Sequence, residues 1–179
     1  MELKNTNNLV ELFFEKYKSQ KKDEILLTSL KNLEKTYSWE QTKNAIINLS
    51  SEISKYIQIA KEKHKEGNFH QANEIYKKLI NQKIYTYDLL ISYGLFNREI
   101  NNLKIAKNLF FLSVKKYPSI IKPYILLAEI LRKESNFNDA IKTLFAAKKI
   151  EKSNSDIYYN LSITYRAVSY THLTLPTKG

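Results

Sequence analysis

The sequence predicts an all-α protein, a solenoid of antiparallel helix pairs. Three observations indicate this fold. Similar residues recur every 34 positions, and the apolar residues within each period keep helical spacing. In addition, the 179 residues include only three Gly and three Pro. Many-stranded proteins need these turn-forming residues at fixed places, so their shortage disfavours a β fold.

The 34-residue period is defined by small residues and by large apolar residues. Three series follow it: Ala60, Gly94 and Ala128; Ala72, Ala106 and Ala140; and Tyr76, Phe110 and Leu144. Tyr124, Leu127 and Leu131 lie on one face of a predicted first helix. The pairs Gly67-Asn68, Asn101-Asn102 and Ser135-Asn136 suit a turn into a second helix. A small residue early in that second helix lets the two helices approach closely.

These residues resemble the pattern of the tetratricopeptide repeat family. The resemblance covers residues 53–167 and implies a right-handed α-solenoid. It divides the chain into units 53–86, 87–120 and 121–154, followed by a partial unit 155–167. Within this family, the chain resembles the repeat arrays of bacterial proteins.

The two ends of the chain depart from the repeat. Residues 1–52 are predicted to be a helical extension that caps the first unit, in which Ser38 to Gln41 have the spacing of a capping box. A diverged repeat is the alternative for this segment. Residues 168–179 resemble a translated sequencing adapter, and Pro176 would fall inside the second helix of the fourth unit. We therefore expect a non-native tail after residue 167 and a truncated array.

Composition restricts the environment and the partner. The chain has no Cys, which excludes disulfides and thiolate metal sites. No apolar run approaches the roughly 18–20 residues of a membrane span, and the N-terminus lacks a signal sequence, so we expect a cytoplasmic protein. The net charge is +11, and residues 53–167 contribute twenty basic and ten acidic side chains to it. This surplus favours an acidic partner.

The resemblance implies that one face of each first helix lines a ligand groove. It assigns to that groove Ile57, Lys61, His64, Asp88, Ile91, Leu95, Arg98, Lys122, Ile125, Glu129, Arg132, Tyr159, Ile163 and Arg166. The only arginines of the chain are in this set, 34 residues apart: Arg98, Arg132 and Arg166. This arginine series either binds carboxylates or phosphates of a ligand, or is an inherited surface feature paired with acids such as Glu99 or Glu134.

Lysine pairs late in the second helices permit another hypothesis. They are Lys77-Lys78, Lys115-Lys116 and Lys148-Lys149. Cations at this place complement the helix macrodipole, which is the simpler interpretation. A nucleic-acid footprint is the alternative.

No catalytic, cofactor or metal site is predicted. No complete metal-ligand set accompanies His64 or His70 at helical spacing, and no Gly-rich phosphate loop occurs. The family's clamp for C-terminal carboxylates would require matches at Ile57, Lys61, Ser92, Lys122 and Leu126, of which only Lys122 agrees. We therefore expect a protein–protein interaction scaffold, not an enzyme, that binds an extended acidic partner segment. The alternative is the repeat module of a larger bacterial glycosyl-, sulfo- or methyltransferase.

Overall fold

Seven helices and no strand form the part of the chain that the computed structural model describes, residues 39–174. The helices are α1 (Trp39–Lys65), α2 (Phe69–Asn81), α3 (Tyr87–Glu99), α4 (Leu103–Lys116), α5 (Lys122–Lys133), α6 (Phe137–Ile150) and α7 (Ser155–Thr174). The chain divides into two compact units after Ile84. The described part of the first unit holds α1 and α2, and that of the second holds α3 to α7. The all-α prediction is confirmed.

The first unit contains one helix pair, α1 against α2. Three residues of the repeat pattern are fully buried in it: Ala60, Ala72 and Tyr76. The structure differs from the predicted organisation at the boundary between residues 52 and 53, because α1 runs through it as one helix of 27 residues. The segment Ser50-Ser51-Glu52 contains no Gly or Pro that would end a helix. The predicted helical elements before Trp39 lie outside the described residues.

The second unit stacks helices so that each packs on the next. Contacts join α3 to α4, α4 to α5, α5 to α6 and α6 to α7, and α7 also packs on α5. The small residues of the repeat, Ala106, Ala128 and Ala140, are fully buried, as are the large residues Phe110 and Leu144. One hydrophobic cluster extends from Ile91 on α3 to Leu161 on α7. The predicted core of the repeat is therefore confirmed.

The turns between paired helices have one geometry, repeated at intervals of 34 residues. Gly67, Asn101 and Ser135 have positive φ angles of 75°, 59° and 59°. In each turn the next residue donates its N–H to a carbonyl five residues earlier, as Asn136 does to Leu131 at 2.8 Å. This is the Schellman ending of a helix. Three residues connect the helices of each pair, and the last of them, Asn136 and its equivalents, is the N-cap of the next helix.

The asparagine that begins a second helix also uses its side chain. Asn136 Oδ1 accepts a hydrogen bond from the Asp139 N–H at 3.4 Å, and its Nδ2 donates to Asp139 Oδ2 at 2.8 Å. The hydrogen bond from Asn136, together with Lys142, lowers the pKa of the Asp139 carboxyl. These reciprocal bonds resemble a capping box and hold the start of α6.

The last helix is longer than the repeat requires. The predicted array extends to residue 167, and α7 continues beyond this residue to Thr174. Residues 168–174 lack Gly and Pro, so nothing in them stops the helix. Pro176, which the sequence places inside a second helix, lies outside the described residues. None of the seven helices is sufficiently long and apolar to span a membrane.

Candidate ligand-binding face

The first helices of the second unit are joined by side-chain bonds along one face. Arg98 on α3 donates from Nη1 to Oε2 of Glu129 on α5 at 2.7 Å. About a third of each side chain remains exposed, 33% for Arg98 and 28% for Glu129. Ion pairs this exposed contribute about 0–1 kcal/mol, so the pair orients the two groups more than it stabilises the fold.

Arg132 makes the equivalent connection from α5 to α7, but to neutral groups. Its Nη1 donates to Oδ1 of Asn160 at 3.3 Å and to Oγ1 of Thr164 at 3.5 Å. Both acceptors are buried and are held by the backbone of α7: Asn160 donates to the Asp156 carbonyl at 2.9 Å, and Thr164 to the Asn160 carbonyl at 2.6 Å. The acceptors orient the guanidinium of Arg132 without neutralising its charge.

The acid pairings proposed for the arginine series do not form as expected. Arg98 pairs with Glu129, and Glu134 instead accepts a 2.6 Å bond from Lys107 on α4. Arg166 is exposed and has no bonded partner among the residues that the structure describes. The arginine series is therefore uneven, with one arginine paired to a carboxylate and two whose charge is uncompensated.

The other predicted groove residues of the second unit fall into three groups. Leu95, Ile125 and Ile163 are half-buried, and Asp88, Lys122 and Tyr159 are exposed. Ile91 is only 5% exposed and belongs to the hydrophobic cluster. Asp88 and Lys122 lie at the very start of α3 and α5. We define the first-helix face by the residues further along these helices, namely Leu95, Arg98, Ile125, Glu129, Arg132, Tyr159, Ile163 and Arg166.

The first unit holds the remaining predicted residues. Ile57 is buried, at 2% exposure. Lys61 and His64 on α1 are half-buried. The ring of His64 lies 5.8 Å from that of Phe69, measured between centroids. The apolar stripe of a helix includes core positions, and Ile57 and Ile91 are buried at such positions.

The second helices present lysines and aromatic rings. Lys116 on α4 lies 5.2 Å from the ring centroid of Tyr85, and Lys148 on α6 lies 4.8 Å from that of Tyr158. These cation–π contacts engage two of the lysines that the nucleic-acid hypothesis would need. Lys115 and Lys149 are exposed on the same helices.

Sequence reasoning missed Asn160 and Thr164 as parts of the site. The pattern of the repeat places Leu126 and Ile130 one period earlier, both of which are buried. A polar residue in place of a buried apolar one needs a hydrogen-bonding partner. In the sequence, Asn160 and Thr164 replace the apolar Leu126 and Ile130 of the preceding unit. This replacement could have identified Asn160 and Thr164 as parts of the site.

Comparison with known proteins identifies the fold. No protein-family model matches the chain, and no curated protein is similar enough in sequence to count as a match. Among solved structures, the tetratricopeptide domain of Sgt2 from Aspergillus fumigatus superposes with a TM-score of 0.61 at 12% identity, covering 72% of this chain and 87% of that one. The first such domain of Spaghetti (RPAP3), bound to an HSP90 peptide, gives 0.59 at 17% identity, covering 67% and 95%.

A third similar structure is a secretion chaperone. SycD from Yersinia enterocolitica, in complex with a peptide of the translocator YopD, has a TM-score of 0.56 at 12% identity and covers 69% of this chain and 94% of that one. At these identities the likeness concerns the fold alone. The chain therefore has the fold of a tetratricopeptide repeat domain.

Proposed function

We propose that this protein is a peptide-binding scaffold rather than a catalyst, and that it binds an extended acidic segment of a partner on the first-helix face. The observation that best supports this function is the environment of the Arg132 guanidinium. Its guanidinium is half-buried and oriented by Asn160 and Thr164, yet no carboxylate among the described residues neutralises it. An oriented cation of this kind is suited to a charge-assisted hydrogen bond with a carboxylate.

The remainder of the face has the other features of a peptide site. Leu95, Ile125 and Ile163 are half-buried apolar residues that can contact side chains of a bound segment. Tyr159 is 66% exposed next to them. The face thus combines apolar residues with oriented charged groups, and such groups fix the orientation of a bound ligand. Arg166 extends the uncompensated positive charge along α7.

Two proteins with this fold bind peptides, namely the Spaghetti domain and SycD. They show that the architecture is compatible with a bound peptide. The acidic character of the partner is inferred from the arginines of this chain, not from those proteins.

The proposal is tested by fluorescence anisotropy with labelled acidic peptides and with matched peptides in which Gln and Asn replace Glu and Asp. Arg132→Gln is expected to weaken binding of the acidic peptides by roughly 10- to 100-fold, the equivalent of one charge-assisted bond of about 1.5–3 kcal/mol. Glu129→Gln is expected to strengthen it severalfold, because it frees Arg98 and removes a like charge. Binding should weaken as salt rises.

The matched control is Lys115→Gln, which removes one exposed positive charge from α4, away from the first-helix face. It should change affinity by less than twofold. Equal losses for Lys115→Gln and Arg132→Gln would mean that the peptides respond only to the net charge of the chain. That result, or tighter binding of the neutral peptides, would contradict the proposal.

A further inference from the structure

The two second helices of the second unit, α4 and α6, each have a line of exposed residues, and the two lines are equivalent in the repeat. The exposed positions follow one another at intervals of four, three and four residues, which places them on one side of a helix. We call this set the second-helix face and define it as Lys104, Asn108, Phe111 and Lys115 on α4 with Asn138, Lys142, Phe145 and Lys149 on α6.

A phenylalanine lies within each line, outside the core. Phe111 is 60% exposed and Phe145 is 42% exposed, whereas Phe110 and Leu144 next to them are fully buried. The core of the repeat therefore does not need the two exposed rings. A single exposed apolar side chain is common on protein surfaces. Two rings at equivalent positions of helices that pack in the same way form a repeated apolar feature of one surface.

Positive charge surrounds both rings. A lysine follows each ring by one turn, Lys115 on α4 and Lys149 on α6. The ammonium of Lys148 also lies 5.9 Å from the ring centroid of Phe145. Helix α4 contains no acidic residue, and α6 contains only Asp139 in its first turn. A partner of this surface must therefore be negatively charged and must also accept apolar rings.

We propose that the second-helix face docks on the surface of an anionic lipid membrane. The rings of Phe111 and Phe145 insert at the level of the lipid headgroups, and the lysines contact the lipid phosphates. The aliphatic stem of each lysine lets its ammonium stay in water while the ring beside it is buried. An anionic membrane therefore offers both parts that the face requires, a layer of negative charge and an apolar interior directly beneath it.

Two other occupants fit the same face less well. A second copy of the chain would place lysines against lysines. A nucleic acid is typically bound in a positively charged groove that follows its backbone, and arginine makes the forked contacts to its phosphates. Here the two rings lie on the exposed side of helices, and the arginines Arg98, Arg132 and Arg166 are all on first helices. The inference does not rest on the proposed peptide-binding function, because the two faces share no residue.

The charge requirement is tested by cosedimentation of the full chain with phosphatidylcholine vesicles that contain either no anionic lipid or about 30% phosphatidylserine. Saturable binding to the anionic vesicles is expected, with little binding to the neutral ones. Replacing Lys115 and Lys149 together by Gln should weaken it roughly 25-fold, about fivefold for each lysine near the surface. The matched control replaces Lys122 and Lys133 of α5, which are also exposed, and should change binding by less than about twofold.

The insertion of the rings is tested by fluorescence. Phe111→Trp should show a blue-shifted emission on anionic vesicles and quenching by brominated lipid, because the indole enters the membrane. Tyr159→Trp, at a position with a similar exposure of 66% on the first-helix face, should show neither. Trp39 is present in both variants, so their difference reports the new indole. Replacing Phe111 and Phe145 together by Ser should weaken vesicle binding at least tenfold, with equal helix content in circular dichroism.

Four results would overturn the proposal. They are absent or equal binding to the two kinds of vesicle, equal losses for the two lysine pairs, and unchanged binding after loss of both rings. The fourth is a single-stranded RNA oligonucleotide that binds more tightly than the vesicles and loses its affinity in the same variants, since the occupant would then be a nucleic acid. Arg132→Gln should leave vesicle binding unchanged, which keeps this test separate from that of the peptide site.

Discussion

At the residue scale, the pair Gly94 and Phe110 shows how closely the helices of one pair approach. Gly94 is buried, and the ring of the fully buried Phe110 occupies the space that a Cβ would need. One period later the pair is Ala128 and Leu144, both fully buried.

We predict that Gly94→Ala destabilises the protein by about 1–3 kcal/mol, because overpacking outweighs the gain of about 1 kcal/mol in helix propensity. In a Phe110→Leu background the sign should reverse, since the ring is gone and only the propensity gain remains. Urea denaturation of the wild type, the two single variants and the double variant measures both effects. If Gly94→Ala has the same effect in both backgrounds, the two residues do not share this contact.

At the element scale, the helices are ended by turns that place one residue in the left-handed region. Gly67 takes that conformation without strain because it has no Cβ. Ser135, at φ 59°, has a Cβ and is strained in this conformation. The turn itself is the same in each pair. The residue in the left-handed region therefore differs between units in backbone strain.

We predict that Ser135→Gly stabilises the protein by about 1 kcal/mol and that Gly67→Ala destabilises it by a similar amount. The space around Gly67 is open, with no heavy atom within 4 Å of an added Cβ, so the Ala variant reports strain and not a clash.

Ser153→Gly is the control for the serine variant, because Ser153 lies in an exposed turn and is not among the positive-φ residues. It should be neutral or slightly destabilising. Thermal unfolding compares the three variants. A midpoint for Ser135→Gly at or below that of the wild type would show that the left-handed turn is not strained.

At the scale of the whole molecule, the sequence predicts the repeat well and the site only in part. The buried residues Ala106, Phe110, Ala140 and Leu144 follow from spacing and size, because the same contact is made in each pair. The partners of the arginines do not follow, because Arg98 and Glu129 are 31 residues apart and meet only when α3 and α5 are placed side by side.

The helix boundaries, too, are predicted only in part by the sequence. α1 runs through the predicted segment boundary at residues 52 and 53, and α7 runs past residue 167, because neither place has a Gly or Pro to end a helix. Ile57 and Ile91 sit at groove positions of the pattern and yet are buried, because burial depends on the helices packed beside them. Local patterns determine the repeat, whereas packing between elements determines which residues remain accessible.

The most direct test of the central claim, that a partner peptide binds on the first-helix face, is photo-crosslinking. The photoreactive residue benzoylphenylalanine replaces Tyr159 on that face or Phe111 on α4, two aromatic positions with similar exposure of 66% and 60%. With a labelled acidic peptide, the position-159 variant should form a crosslink that excess unlabelled peptide abolishes, and the position-111 variant should form little or none. Equal crosslinking at both positions, or a stronger crosslink at position 111, would contradict the claim.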